Sequence, residues 1–95
     1  MLEADQGVRN RIHAFVMSNF AAAAARELSD DDSLLNSGVV DSLGILQLAT
    51  FLEQEFRFIV QDDELSADNF DTIAALTRYV SSKQAGSNGT RASSG

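Results

Sequence analysis

No proline interrupts this chain of ninety-five residues, and its apolar side chains return every three or four positions. That spacing gathers them on one face of an α-helix; a strand would need alternation at every second residue. Val8, Ile12, Phe15 and Val16 form the first such stripe. They predict a helix from about Glu3 into the alanine run Ala21–Ala25, where high helix propensity extends the element while adding little core. A second stripe, Ile45, Leu48, Ala49, Leu52 and Phe56, starts immediately after "VVDSLG". Leu46 lies at its edge, and Gln47, Thr50 and Gln54 face away. A third, Ile73, Leu76, Thr77 and Val80, predicts a last helix from Thr72 to about Lys83, with Asp71 as its N-cap.

The connections follow from composition. "ELSDDDSLLNSGVV" is rich in Ser, Asp, Asn and Gly and reads as a loop, but Leu34, Leu35, Val39 and Val40 are too apolar to be wholly solvated and should pin it to the bundle. Arg57–Val60 has strand-like composition and no second strand to pair with, so "RFIVQDDELSADNF" is read as a linker and a short helix ending near Phe70. "QAGSNGTRASSG" has nothing to bury and is expected to be disordered. The expectation is an all-α chain: a small four-helix bundle with three longer helices and one short third helix, in one domain, 1–83, with a tail at 84–95.

Several function classes are excluded early. Fourteen acids against seven bases give a net charge of −7, which repels phosphate backbones and anionic lipid, so neither nucleic acid nor membrane is expected as a partner. With no cysteine and one histidine, His13, neither a disulfide framework nor a zinc site can be assembled. "DDDS" lacks the spacing and closing glutamate of a calcium loop. No apolar run can span a bilayer and no signal-peptide layout is visible, so the chain is expected in the cytoplasm, as a monomer; the glycosylation-like triplet at Asn88 then means little.

Ser42 is the candidate functional residue, and three readings compete for it. As a nucleophile it would need a base, an orienting group and oxyanion donors. The only histidine is on the first helix, and Val40 stands where a nucleophile elbow, or the GDSL motif of a hydrolase family, places glycine. No catalytic residue is assigned. As a plain structural element, Asp41 caps the second helix and Ser42 is its first residue. As a modification site, Ser42 stands at the positive end of a helix macrodipole, where a phosphate ester is well placed.

"GVVDSLGILQLATFLEQEF" followed by "NFDTIAALTRYV" resembles an acyl or peptidyl carrier protein over roughly Val8 to Lys83. The resemblance implies a non-catalytic protein whose Ser42 carries a 4′-phosphopantetheine arm derived from coenzyme A, holding an acyl or aminoacyl group as a thioester. Asp41 matches the acid before that serine, and Leu43 a residue used in partner contacts. Leu46, Leu48, Ala49, Leu52 and Phe56 match core positions of the second helix; Phe70, Ile73 and Leu76 match apolar positions further on. Implied partners are a phosphopantetheinyl transferase and an adenylating acyl or aminoacyl ligase, or an acyltransferase or synthase. Fatty-acid carriers place acids where this chain has Gly44 and Gln47. That pair is similar to stand-alone D-alanyl or aminoacyl carriers, and with Asp41 and Leu43 it makes up the expected partner-recognition set. Gly44 itself would permit close approach of a partner or of the arm. The alternative readings are an unmodified helical interaction domain and, among carriers, one for fatty-acid or polyketide synthesis.

Overall fold

In the computed structural model, residues 2–20, 23 and 28–94 are described, with side chains for 6–20, 23 and 28–85. Among the described residues, four helical segments with stated bounds follow one another: α1 (Leu2–Asn19), α2 (Ser42–Phe56), the short α3 (Ala67–Phe70) and α4 (Ile73–Ser94), with a 3₁₀ turn at Asp62–Glu64. Among the described residues there is no strand, and 57–60 is an unpaired linker. The all-α bundle of three long helices and a short third one is therefore as expected.

The stripes meet in one core. α4 packs along α1 and touches α3 and α2. Ile12, Val16, Leu48, Leu52, Phe70, Ile73, Leu76 and Val80 are fully enclosed there. The long loop contributes to it: Leu34 and Val40 are as deeply buried as the helical residues, and Val39 nearly so. Thr77, buried on the inner face of α4, donates its hydroxyl to the Ile73 carbonyl at 2.8 Å, so no polar atom is left unpaired in that position.

Four expectations need correction. First, α1 stops at Asn19, before the alanines. The Asn19 side-chain amide donates to the Phe15 carbonyl at 2.9 Å, the kind of local bond by which asparagine competes with a continuing helix. Within the run Ala23 alone is described, and it is helical and buried; the other alanines of the expected extension lie outside the described residues. Second, Leu46 is 54% exposed and belongs to the outer face of α2, not to the core. Third, α4 is capped by Thr72, whose Oγ1 accepts from the Ala75 N–H at 2.9 Å. Asp71 is engaged elsewhere: its Oδ1 accepts from Ser33 Oγ at 2.7 Å and from the Leu35 N–H at 3.1 Å, and its carbonyl accepts from Leu34. Fourth, α4 does not end near Lys83 but continues to Ser94. Adding a residue to an existing helix costs far less than starting one, and with no proline the chain has no residue that must stop it.

Two carboxylates tie the connections down. Asp30 accepts from Arg9 in two-pronged fashion, Nε to both oxygens at 2.9 and 3.0 Å, which fastens the loop to α1. Glu64 accepts from the Gln61 N–H, the Tyr79 hydroxyl and Lys83 Nζ, which fastens the 3₁₀ turn to α4. α2 closes at Arg57, a left-handed residue with φ of 60°, in a position usually given to glycine.

Candidate functional site: the start of α2

A relay of backbone bonds sets where α2 begins. Asp71 holds Leu34, the Leu34 carbonyl accepts from the Val40 N–H at 3.0 Å, and buried Val40 fixes Asp41 one residue on. Gly38, at φ +81°, lets the loop reverse just upstream. Asp41 is extended, and its Oδ1 accepts from the Gly44 N–H at 2.8 Å, while its carbonyl accepts from the Ile45 N–H. The cap read from the sequence is in place.

Ser42 is the first residue of α2 and is exposed. The two N–H groups at 42 and 43 have no acceptor within the helix, as in any first turn, and they sit at the positive end of its dipole. His13 is half-buried on α1, and among the described residues no group of three or more His, Asp or Glu side chains could hold a metal. The site presents a hydroxyl to solvent.

Leu43, Leu46, Gln47, Thr50 and Phe51 follow Ser42 along one side of α2 and, with Phe15 from α1, line an open groove of about 700 Å³. Leu43 is 71% exposed. Phe15 and Phe51, both on the groove, stack at 4.1 Å between centroids. Among the described residues, no charged side chain lines it. The acids of α2 lie elsewhere and are engaged: Glu53 accepts from the Val60 N–H at 2.9 Å, and Glu55 faces Arg11 at 3.3 Å.

Of the residues singled out in the sequence, Asp41 and Ser42 come together at the helix start, and Leu43 and Gln47 lie on the groove. Gly44 does not. It is buried, and a Cβ placed there would lie 2.8 Å from Val40 Cγ1 and 3.0 Å from Phe20 Cε1. The close approach that needs a glycine is made by the chain itself, not by a partner or an arm. Leu46, Phe15 and Phe51 were missed as groove residues. The available signal was a pair of leucines, Leu43 and Leu46, three apart on a face otherwise read as polar.

A sequence profile described as "Phosphopantetheine attachment site" matches residues 16–80. Curated relatives described as D-alanyl carrier protein, from Streptococcus pyogenes serotype M5 (strain Manfredo), serotype M49 (strain NZ131) and serotype M1, are each 34% identical over 58 residues, covering 61% of this chain and 72% of theirs.

Proposed function

Since the chain belongs to the phosphopantetheine-attachment family of carrier proteins, a non-catalytic family whose cofactor is a covalently held 4′-phosphopantetheine, we propose that Ser42 bears that arm and that the cargo is an acyl or aminoacyl group held as a thioester. The observation that carries the assignment is the exposure of Ser42 as the first residue of a capped helix inside "VVDSLG". The residues fit the group. The hydroxyl is exposed and so open to a transferase, and the N–H groups at 42 and 43, which have no acceptor within the helix, suit a phosphate ester. When bound, the arm supplies the thiol that a chain without cysteine lacks.

Within that reading the cargo is aminoacyl, and the loading partner is an adenylating ligase. The D-alanyl carrier relatives support this choice, as does the groove beside Ser42, whose described lining carries no charged side chain and so offers little to a synthase that grips acidic carriers. Residues 1–83 form the working carrier unit, and the cytoplasm, where coenzyme A and the transferase meet it, is its place; among the described residues no helix is long and apolar enough to cross a membrane.

Intact-mass measurement after incubation with coenzyme A and a promiscuous phosphopantetheinyl transferase tests the attachment. One phosphopantetheine addition is expected, absent from Ser42→Ala, whose helical circular dichroism should match the parent because Asp41 still caps α2. Addition surviving in Ser42→Ala would reject the site. Loading the holo protein with D-alanine and other amino acids by adenylating ligases, against malonyl transfer, then tests the cargo; efficient malonyl loading would move the assignment to fatty-acid or polyketide synthesis.

A further inference from the structure

We propose that the arm on Ser42 lies down along the groove between α1 and α2, held by Leu46, Gln47, Thr50 and Phe51, so that its thiol end rests near the Phe15–Phe51 stack. The proposal rests on the reading of Ser42 as the attachment point and goes beyond it, because attachment alone leaves the arm free in solvent.

Continuity comes first. The groove begins at Leu43, next in sequence to Ser42, and runs away from the helix start. Leu46 is one turn below Ser42 and 54% exposed, so an arm leaving the hydroxyl meets it at once. From Ser42 to Phe51 is nine residues, about 13 Å at the helical rise, a span that a pantetheine chain covers when extended.

Chemistry comes second. Beyond its phosphate a pantetheine arm is uncharged, with a branched dimethyl carbon, a hydroxyl and two amides. The groove has the same character: apolar at Leu43, Leu46, Phe15 and Phe51, amide or hydroxyl at Asn19, Gln47, Thr50 and Gln54, with no charged side chain among the described residues that line it. Asn19 spends its amide N–H on Phe15 and keeps its Oδ1 as an acceptor. The dimethyl carbon gains from covering Leu46, and the amides find partners without desolvating an ion. A second copy of this chain is a poorer occupant, because two molecules of net charge −7 repel each other.

The test is nuclear magnetic resonance on the full chain in apo and holo forms. Backbone amides of Leu46, Gln47, Thr50 and Phe51 and the side-chain amides of Gln47 and Gln54 should shift on arm attachment. Nuclear Overhauser contacts should connect the arm's methyl protons to Leu46 and Phe51, independently of protein concentration. Leu46→Gln, at an exposed position, should still gain the arm by mass but lose the shifts beyond residue 46 and the methyl contacts. Shifts confined to residues 42–44, with no arm contacts further along, would overturn the proposal while leaving the attachment intact. Concentration-dependent shifts with a doubled mass in light scattering would overturn it in favour of a second copy. Failure of Ser42 to gain any mass would remove the attachment itself, and this inference with it.

Discussion

Replacing Gly44 by alanine adds one methyl group, and the surroundings decide whether that helps or harms. In an open helix the change should stabilise by up to about 1 kcal/mol, since glycine is the poorer helix former. Here the new Cβ would lie 2.8 Å from Val40 Cγ1, 3.0 Å from Phe20 Cε1 and 3.4 Å from Asp41 Oδ1. Phe20 is half-buried and its ring edge can yield. Val40 is 1% exposed, and a valine has little freedom at χ1, so relief has to come from the backbone of the loop or of α2. Overpacking of this kind costs about 1–3 kcal/mol. Set against the propensity gain, Gly44→Ala should be destabilising by about 1–2 kcal/mol. For a domain of this size each kcal/mol lowers the melting temperature by about 4–8 °C. Thermal unfolding followed by circular dichroism reads the effect, and the double variant Val40→Ala/Gly44→Ala isolates its cause: Gly44→Ala should be better tolerated once Val40 Cγ1 is gone. A Gly44→Ala protein that melts higher than the parent would refute the packing argument, and so would a double variant whose two effects simply add.

Leu52 is fully enclosed, so Leu52→Ala should cost about 2–5 kcal/mol, whereas deletion of 84–95 should reduce the helical signal and hardly move the melting temperature; a truncation more harmful than Leu52→Ala would reject a carrier unit ending at 83. Stability should fall in acid. Asp30, held below its usual 3.8 by the Arg9 hydrogen bond, and Glu64, held below 4.5 first by the Gln61 N–H and then by Lys83 and Tyr79, contribute fully above those ordinary values and lose their contribution as pH drops through the lowered ones, so melting temperatures measured between pH 6 and pH 2 should flatten in an Arg9→Met/Lys83→Met variant. Arg57→Gly should raise the melting temperature by a few degrees, since a left-handed residue with a Cβ costs about 1–2 kcal/mol and glycine returns part of that through its looser unfolded state. Binding of the loading ligase should vary little between low and high salt, and Gln47→Glu, at an exposed groove position, should make it salt-dependent; strong salt dependence in the parent would show that charges outside the groove carry the encounter.

What could be read from the sequence was whatever one helix states by itself. The stripes of α1, α2 and α4 are local patterns, and so is the Asp41 cap with Ser42 behind it; even the buried loop residues Leu34 and Val40 betray themselves by being apolar in a polar stretch. The misses share a different cause. Asp71 and Thr72 are both able caps, and the choice between them is made by Ser33, 38 positions away. Gly44 is forced by Phe20 and Val40, which reach it only after the chain has folded. Leu46 shares the edge of the stripe with core residues, and its exposure depends on where α1 runs beside α2. Arg57 gives no local hint of its left-handed turn, because arginine is ordinary in a helix and at a helix end alike.

Gly44 and Gln47 therefore carry unequal weight as signs of what this carrier serves. Both stand where fatty-acid carriers place acids, and the sequence treats them as one signal. Their surroundings separate them. With Val40 and Phe20 packed against position 44, no acid fits there whichever enzyme the chain meets, so the missing charge at Gly44 records the chain's own packing. Gln47 is exposed at the groove, and a carboxylate there would meet no steric bar; its neutrality is the part free to answer to a partner. Glu53 and Glu55 are not among the residues that line the groove: one accepts from the Val60 N–H and the other faces Arg11. If this groove is where a loading enzyme docks, its described residues offer shape, apolar surface and amide hydrogen bonds for selecting that partner. Those are short-range forces, so discrimination between loading enzymes should appear in how long the complex lasts and not in how fast it forms.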